Sequence, residues 1–307
     1  MKGRPRWLDL LTCGLVLGIA LPVAYLPLRI SYPLGEALGR LAFFWDRRHR
    51  RVVCENLLLA FGRSRTPDEV MQMARSHFRC LGKTFVDMCR LVRLSPGALK
   101  EVVEIDGLEP LTSARARGQG VLFVTGHFGP WEYLPALSTH LTGEALTVVV
   151  RPLDNPYLDR FLNAIRARWG GRVVEKRAAM RVILGVLHRG GNVGILIDQH
   201  VSRGEGVFVD FFGHPACTTS APALLALRSK AAIIPAVILR EGRGRFRLLL
   251  GKEVSAPRTG DVRKDVVALT AAMTAALEEL IRNRPEEWFW VHRRWKHLAE
   301  GTNQRKT

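Results

Sequence analysis

Val121-Leu-Phe-Val-Thr-Gly-His-Phe-Gly-Pro-Trp-Glu132 is an apolar, β-rich run that breaks at Gly126 and restarts as a helix. Residues 121–125 read as a strand that carries His127 to the edge of a sheet. Gly129 permits a tight turn, and Pro130 suits the first turn of a helix, where a missing N–H costs nothing. Glu132 falls in that same turn. The positive end of the helix dipole favours a carboxylate there, and from that place it can fold back onto the imidazole. A neutral histidine oriented by a carboxylate is a general base able to deprotonate an alcohol without an enzyme nucleophile. A purely structural His–acid pair fits the same spacing, so both readings stand at this point.

Outward from this stretch the chain alternates short β-rich runs with helical ones. Strands are expected over 102–105, 121–125, 146–151, 172–174, 193–197, 233–239 and 246–250. Helices are expected over 108–117, 131–141, 156–168, 178–189, 221–230 and 262–283. This pattern predicts an α/β fold with a mixed, largely parallel sheet flanked by helices. Sites in such sheets gather beyond the carboxyl ends of strands, where His127 lies. Residues 30–100 look helical: 51–61 has apolar positions at helical spacing and stops at Gly62, and Thr66-Pro-Asp-Glu69 is a capping box opening a further amphipathic helix that runs to about Val92. The expected organisation is an anchor over 1–29, a helical region over 30–100, an α/β core over 101–298 and a polar tail over 299–307.

A formal net charge of +18 over 307 residues calls for an anionic partner, either nucleic acid or lipid. The first stretch favours lipid over nucleic acid. Residues 7–28 are uncharged except for Asp9, and as a helix they match a bilayer core of about 30 Å. Pro22 and Pro27 would kink or end that helix, so an interfacial placement is the alternative to a spanning one. The heavier basic flank, Arg47-Arg48-His49-Arg50-Arg51, follows the apolar segment and favours a cytoplasmic position for the remaining chain. Five scattered cysteines have neither paired nor metal-ligand spacing, which predicts reduced, mostly buried thiols. GxGxxG after a strand, GxxxxGK[ST] and GxSxG are absent, removing the common nucleotide and serine-hydrolase motifs.

Other candidates follow the same strand-end reasoning. Arg151 ends a strand and suits a phosphate, or else packs over Asp154 or Asp159. Lys176 and Arg177 add positive charge at the same edge, or form an ordinary solvated face. Asp198 and Gln199 close the 193–197 strand, where an acid can orient the basic residues or an acceptor. Phe208, Phe211, Phe212, Trp288, Phe289, Trp290 and Trp295 read either as core or, for the closing group beside Arg293, Arg294 and Lys296, as a headgroup-level belt.

The block His127-Phe-Gly-Pro-Trp-Glu132 resembles the His-four-residues-acid motif of the lysophospholipid acyltransferase superfamily, and is most like the lauroyl and myristoyl late acyltransferases of lipid A biosynthesis. Three further blocks are similar and in the same order: 151–159; 194–199 with 207–213 and Thr218-Thr219; and 285–296. The resemblance spans roughly 30–298. It implies a membrane-associated O-acyltransferase in which a His127–Glu132 dyad serves as general base. Arg151, Asp198 and Gln199 lie in these blocks and, with Lys176 and Arg177 from the strand-end reasoning above, are expected to contact substrate at the cytoplasmic face of a bacterial inner membrane. The implied donor is acyl carrier protein or acyl-coenzyme A bearing a fatty thioester, and the acceptor an anionic glycolipid. No metal or tightly held cofactor is implied. Phospholipid or mannosylated-lipid acylation is the alternative within the superfamily, and a basic membrane-tethered binding protein the alternative outside it. Oxyanion donors are sought among backbone N–H groups of the 126–129 turn or after Thr218.

Overall fold

The computed structural model describes residues 5–175, 179–255 and 258–298. Four helices come first: α1 (Arg6–Tyr25), α2 (Leu28–Trp45), α3 (Arg47–Phe61) and α4 (Pro67–Arg90). The α1 helix stops at Tyr25, short of the expected end, because Leu26 precedes Pro27 and is forced into extended backbone. Pro27 then opens α2, within the stretch whose sequence reads only as generally helical. Asp46 caps α3 by accepting the His49 N–H. The capping box of α4 forms as expected, with Thr66 and Glu69 satisfying each other's backbone N–H groups.

The remainder alternates: α5 (Pro96–Val102), β1 (Val103–Asp106), α6 (Glu109–Ala116), β2 (Val121–Thr125), α7 (Leu134–Thr142), β3 (Leu146–Val150), α8 (Pro156–Arg168), β4 (Arg172–Glu175), α9 (Ala179–His188) and β5 (Asn192–Leu196). Then come β6 (Gly206–Phe211), β7 (His214–Thr219), α10 (Ala221–Ser229), β8 (Ala232–Arg240), β9 (Phe246–Leu250) and α11 (Val262–Asn283). Seven strands form one sheet in the order β1-β9-β8-β2-β5-β3-β4. From β8 to β4 all neighbours are parallel, while β9 runs antiparallel to β8 and carries β1 parallel to itself. The mixed, largely parallel α/β sheet is therefore as expected.

Alternating side chains of the strands feed two cores. Leu122, Val124, Val193, Ile195 and Ile233 pack with α3, α4, α9, α10 and α11 on one face. Val121, Phe123, Val148, Ile234 and Leu248 pack with α6 and α7 on the other. The early helices are tied to the sheet by a buried ionic cluster. Arg240, at the end of β8, lies 2.6 Å from Asp87 and 3.3 Å from Glu287, and donates to Thr84 Oγ1 at 2.9 Å. Tyr32 of α2 donates to Asp87 at 2.6 Å. Asp87 and Glu287 hold the Arg240 guanidinium charged against its burial, well above its ordinary pKa.

One element was not anticipated. β6 and β7 form a separate hairpin whose closing turn, Phe212-Gly213, has positive φ at both residues (56° and 76°). That is the handed turn a two-residue hairpin needs. Phe212 tolerates it because its N–H donates to Glu278 at 2.6 Å, while the Gly213 N–H donates to Asp210 at 2.9 Å.

Candidate active site

β2 and β5 are neighbours in register, with Thr125 opposite Leu196, and the Ile197 N–H donates to the Thr125 carbonyl at 2.9 Å. The two chains therefore leave the sheet side by side, bringing His127 and Asp198 together. Asp198 Oδ1 lies 2.9 Å from His127 Nδ1, while Oδ2 accepts the His127 backbone N–H at 2.7 Å and the Trp288 indole N–H at 2.8 Å. Asp198 is 2% exposed and His127 is 21% exposed at the side chain. Burial opposes the Asp198 charge, but His127 and these hydrogen bonds outweigh it and hold its pKa down at about 2. For His127, burial acts to lower the pKa; the Asp198 charge, its hydrogen bond and the Glu132 charge reverse that and leave it raised above 6.5.

An ionised Asp198 fixes the neutral tautomer with the proton on Nδ1, leaving the lone pair on Nε2. Gln199 Nε2 lies 3.4 Å from that nitrogen. The imidazole is walled by Trp131 and Phe289, at ring-centroid distances of 5.0 and 5.9 Å. The turn beneath it is tightly constrained. Gly129 has φ +49°, and a Cβ there would stand 2.5 Å from the Ile238 carbonyl oxygen.

Glu132 behaves differently from the local expectation. It lies in a 3-10 turn, Trp131–Tyr133, that precedes α7, and its two oxygens take a fork of hydrogen bonds from Arg166 of α8, at 2.8 and 2.5 Å. A bidentate guanidinium–carboxylate pair outcompetes a single imidazole contact. Glu132 thus acts on His127 through charge, and the position on Nδ1 belongs to Asp198. Glu132 and Arg166 are the charged residues lining a narrow apolar cavity of about 60 Å³ between the sheet and α7, otherwise walled by residues such as Phe123, Leu134, Leu141 and Val148.

The remaining candidates separate. Arg151 is 83% exposed at the side chain and pairs with Asp154 at 3.4 Å, the packing alternative considered from sequence. Lys176 and Arg177 lie outside the described residues, as does the 299–307 tail. The N–H groups of His127, Phe128 and Gly129 are all taken, by Asp198, Gly126 and Glu287 respectively, so that turn offers no oxyanion donor from these three. The belt reading is overturned for Trp288, Trp290 and Trp295, which are at most 3% exposed and stack on Phe211 and one another in the core. Trp288 and Arg294, which the sequence offers only as core or belt residues, instead support the site, Trp288 by donating its indole N–H to Asp198. Arg294 is fully buried and donates to the Gln199 carbonyl at 3.3 Å, to the Cys217 carbonyl at 2.8 Å and to Thr218 Oγ1, fastening the β5 exit to β7. Burial lowers its pKa to about 10.

The family model for bacterial lipid A biosynthesis acyltransferases matches residues 2–297. The chain belongs to this family. It is accordingly an acyltransferase. The lipid A biosynthesis lauroyltransferase of Escherichia coli (strain K12) is 28% identical over 292 residues, covering 94% of this chain and 92% of the relative. The palmitoleoyltransferase of the same organism is 26% identical over 289 residues, covering 92% and 91%. The phosphatidylinositol mannoside acyltransferase of Mycobacterium tuberculosis (strain CDC 1551 / Oshkosh) is 27% identical over 246 residues, covering 78% and 74%.

Proposed function

We propose that this acyltransferase moves a fatty acyl group from an acyl thioester, carried by acyl carrier protein, to a hydroxyl of a lipid A precursor or related phosphorylated glycolipid. It would work at the cytoplasmic face of the inner membrane. One juxtaposition carries the reading. A partly exposed imidazole, fixed on Nδ1 by a buried carboxylate, stands against Trp131, which with Glu132 lines a narrow cavity walled mostly by apolar side chains.

In the proposed reaction the acceptor O–H gives its proton to Nε2 of His127 as the oxygen bonds to the thioester carbonyl carbon. Collapse of the tetrahedral intermediate breaks the C–S bond, and the departing thiolate takes the proton from the imidazolium. Asp198 holds the tautomer and balances the imidazolium charge. Glu132 completes the proposed dyad electrostatically, adding negative charge beside the ring while Arg166 pins it. General-base assistance of this type supplies about 10²- to 10⁴-fold, and alignment of two lipidic substrates must supply much of the rest. The α1 helix is long and apolar enough to cross a membrane, and the basic cluster after it supports a cytoplasmic site.

The test is acyl transfer by purified protein from acyl carrier protein and coenzyme A thioesters to a lipid A precursor, with products identified by mass spectrometry. His127→Ala should abolish transfer while the protein stays folded and membrane-bound. Undiminished transfer by that variant would remove the base from the mechanism. The mannoside-acylating relative motivates a mannosylated phospholipid as a second acceptor in the same assay.

A further inference from the structure

The α2 and α4 helices cross at backbone contact. A Cβ added to Gly39 would stand 2.1 Å from the Phe78 carbonyl oxygen, and one added to Gly35 would stand 2.7 Å from that of Gly82. Such closeness sets Arg40 of α2 beside Arg75 and Arg79 of α4, and the three arginines line a groove of about 530 Å³ with Phe43 and Phe44. Among the described residues its lining has no carboxylate. Glu36 reaches Arg40 from outside at 3.6 Å, in an exposed pair. Arg79 donates to Ser76 Oγ at 3.0 Å, and the Arg75 guanidinium sits 5.8 Å from the Phe43 ring centroid. The cationic groove borders an apolar one-sided stripe: Ile30, Leu34, Leu38, Leu41, Phe44 and Trp45 of α2 are all exposed, Trp45 to 79%. Their spacing of three and four residues puts them along one face of the helix.

We propose that this groove is a headgroup site for an anionic phospholipid of the surrounding membrane, with the phosphodiester held by Arg40, Arg75 and Arg79 and the acyl chains lying along the α2 stripe. Guanidinium groups bind phosphate oxygens in pairs, and long basic side chains reach the headgroup level from an apolar helix face. An acidic soluble protein would satisfy the arginines but leave the Phe44 and Trp45 rings in water. Lipid satisfies both. The site also has a bearing on orientation. Gln72, Ser76 and Arg79 line a second cleft of about 920 Å³ that extends to Arg240, Glu286 and Glu287, and the Glu287 carbonyl accepts the Gly129 N–H beneath His127. A lipid clamped in the groove would therefore hold the catalytic edge at the membrane surface, a task beyond attachment through α1.

The test uses the full chain in uncharged detergent micelles containing equal phosphatidylglycerol and phosphatidylcholine, with retained lipid counted by native mass spectrometry. The unaltered protein should keep phosphatidylglycerol in preference by about tenfold or more, given the attraction of each basic residue for anionic headgroups. R40Q/R75Q/R79Q should bring the preference close to unity, and R75Q alone should lower it severalfold if the triple variant does not fold. The charge-matched R228Q/R263Q/K264Q, altered on α10 and the first turn of α11 and outside the groove lining, should retain it. The proposal is overturned if the unaltered protein shows no preference, or if R75Q and the triple variant both keep it. It is equally overturned if the groove variants instead raise KM for an acyl carrier protein donor with lipid retention unchanged. Because retention is read without turnover, an inactive enzyme that still selects phosphatidylglycerol would defeat the catalytic reading and leave this one standing.

Discussion

Replacing Asp198 by Asn tests the catalytic reading most sharply, because three donors converge on one carboxylate. Oδ2 serves two of them, the His127 and Trp288 N–H groups at 2.7 and 2.8 Å, and Oδ1 serves His127 Nδ1 at 2.9 Å. An amide has one acceptor oxygen. It is best placed where Oδ2 was, which turns the NH₂ toward Nδ1 and requires a lone pair there. The imidazole proton then moves to Nε2, the position that must receive the hydroxyl proton. Loss of the correct tautomer should cut kcat by about 10²- to 10⁴-fold, or roughly 3–5 kcal/mol of barrier. The pH profile gives a second signature. In the proposed mechanism His127 acts when neutral, so the rate should rise with pH through a value above 6.5, the ordinary imidazole pKa that Asp198 and Glu132 raise. In Asp198→Asn burial is opposed by Glu132 alone, and the limb should move to lower pH. Initial rates at saturating donor and acceptor between pH 5 and 9 decide the matter, with thermal melting as a folding control. Full activity with an unmoved limb would refute the assignment of Asp198 as the group that orients the base.

Other outcomes follow from the same geometry. Gly129→Ala meets the Ile238 carbonyl at 2.5 Å with φ at +49°, so it should cost about 1–3 kcal/mol in denaturant unfolding and displace His127 enough to depress activity. Arg240→Met strands Asp87 and Glu287 in the interior, with an expected loss of about 3–5 kcal/mol measured the same way. Ser138→Leu closes the narrow apolar cavity beside Trp131 and Glu132 and should lower acyl transfer, read by mass spectrometry of the products. The stability Asp198 contributes is present above its unfolded pKa, near 3.9, and is lost as pH falls through about 2. The stability gap between the unaltered protein and Asp198→Asn should therefore narrow over that interval.

Much of the fold was legible because its signals are local. The strands at 121–125 and 246–250, and the helices at 156–168 and 262–283, lie where the periodicity and caps put them. The β6–β7 hairpin was not legible, since its turn lacks the Asn-Gly or Asp-Gly signature and depends on Glu278, 66 residues away, to accept the Phe212 N–H. The site divides in the same way. His127 could be found from its strand, glycine and helix restart. Its partner on Nδ1 stands 71 residues further on and is specified by β2 lying beside β5, a matter of strand order that no spacing encodes. Glu132 was close in sequence, but Arg166, 34 residues away, captured it with two hydrogen bonds.

Asp198 grips both the backbone and the ring of His127, so this histidine has almost no freedom to swing toward a differently placed alcohol. On the proposed mechanism, the hydroxyl that reacts is then decided by how the acceptor is seated and not by the reach of the base. Enzymes that share this anchoring and acylate different hydroxyls should accordingly differ in the walls that cradle the acceptor, while the turn from Gly126 to Gly129 stays the same.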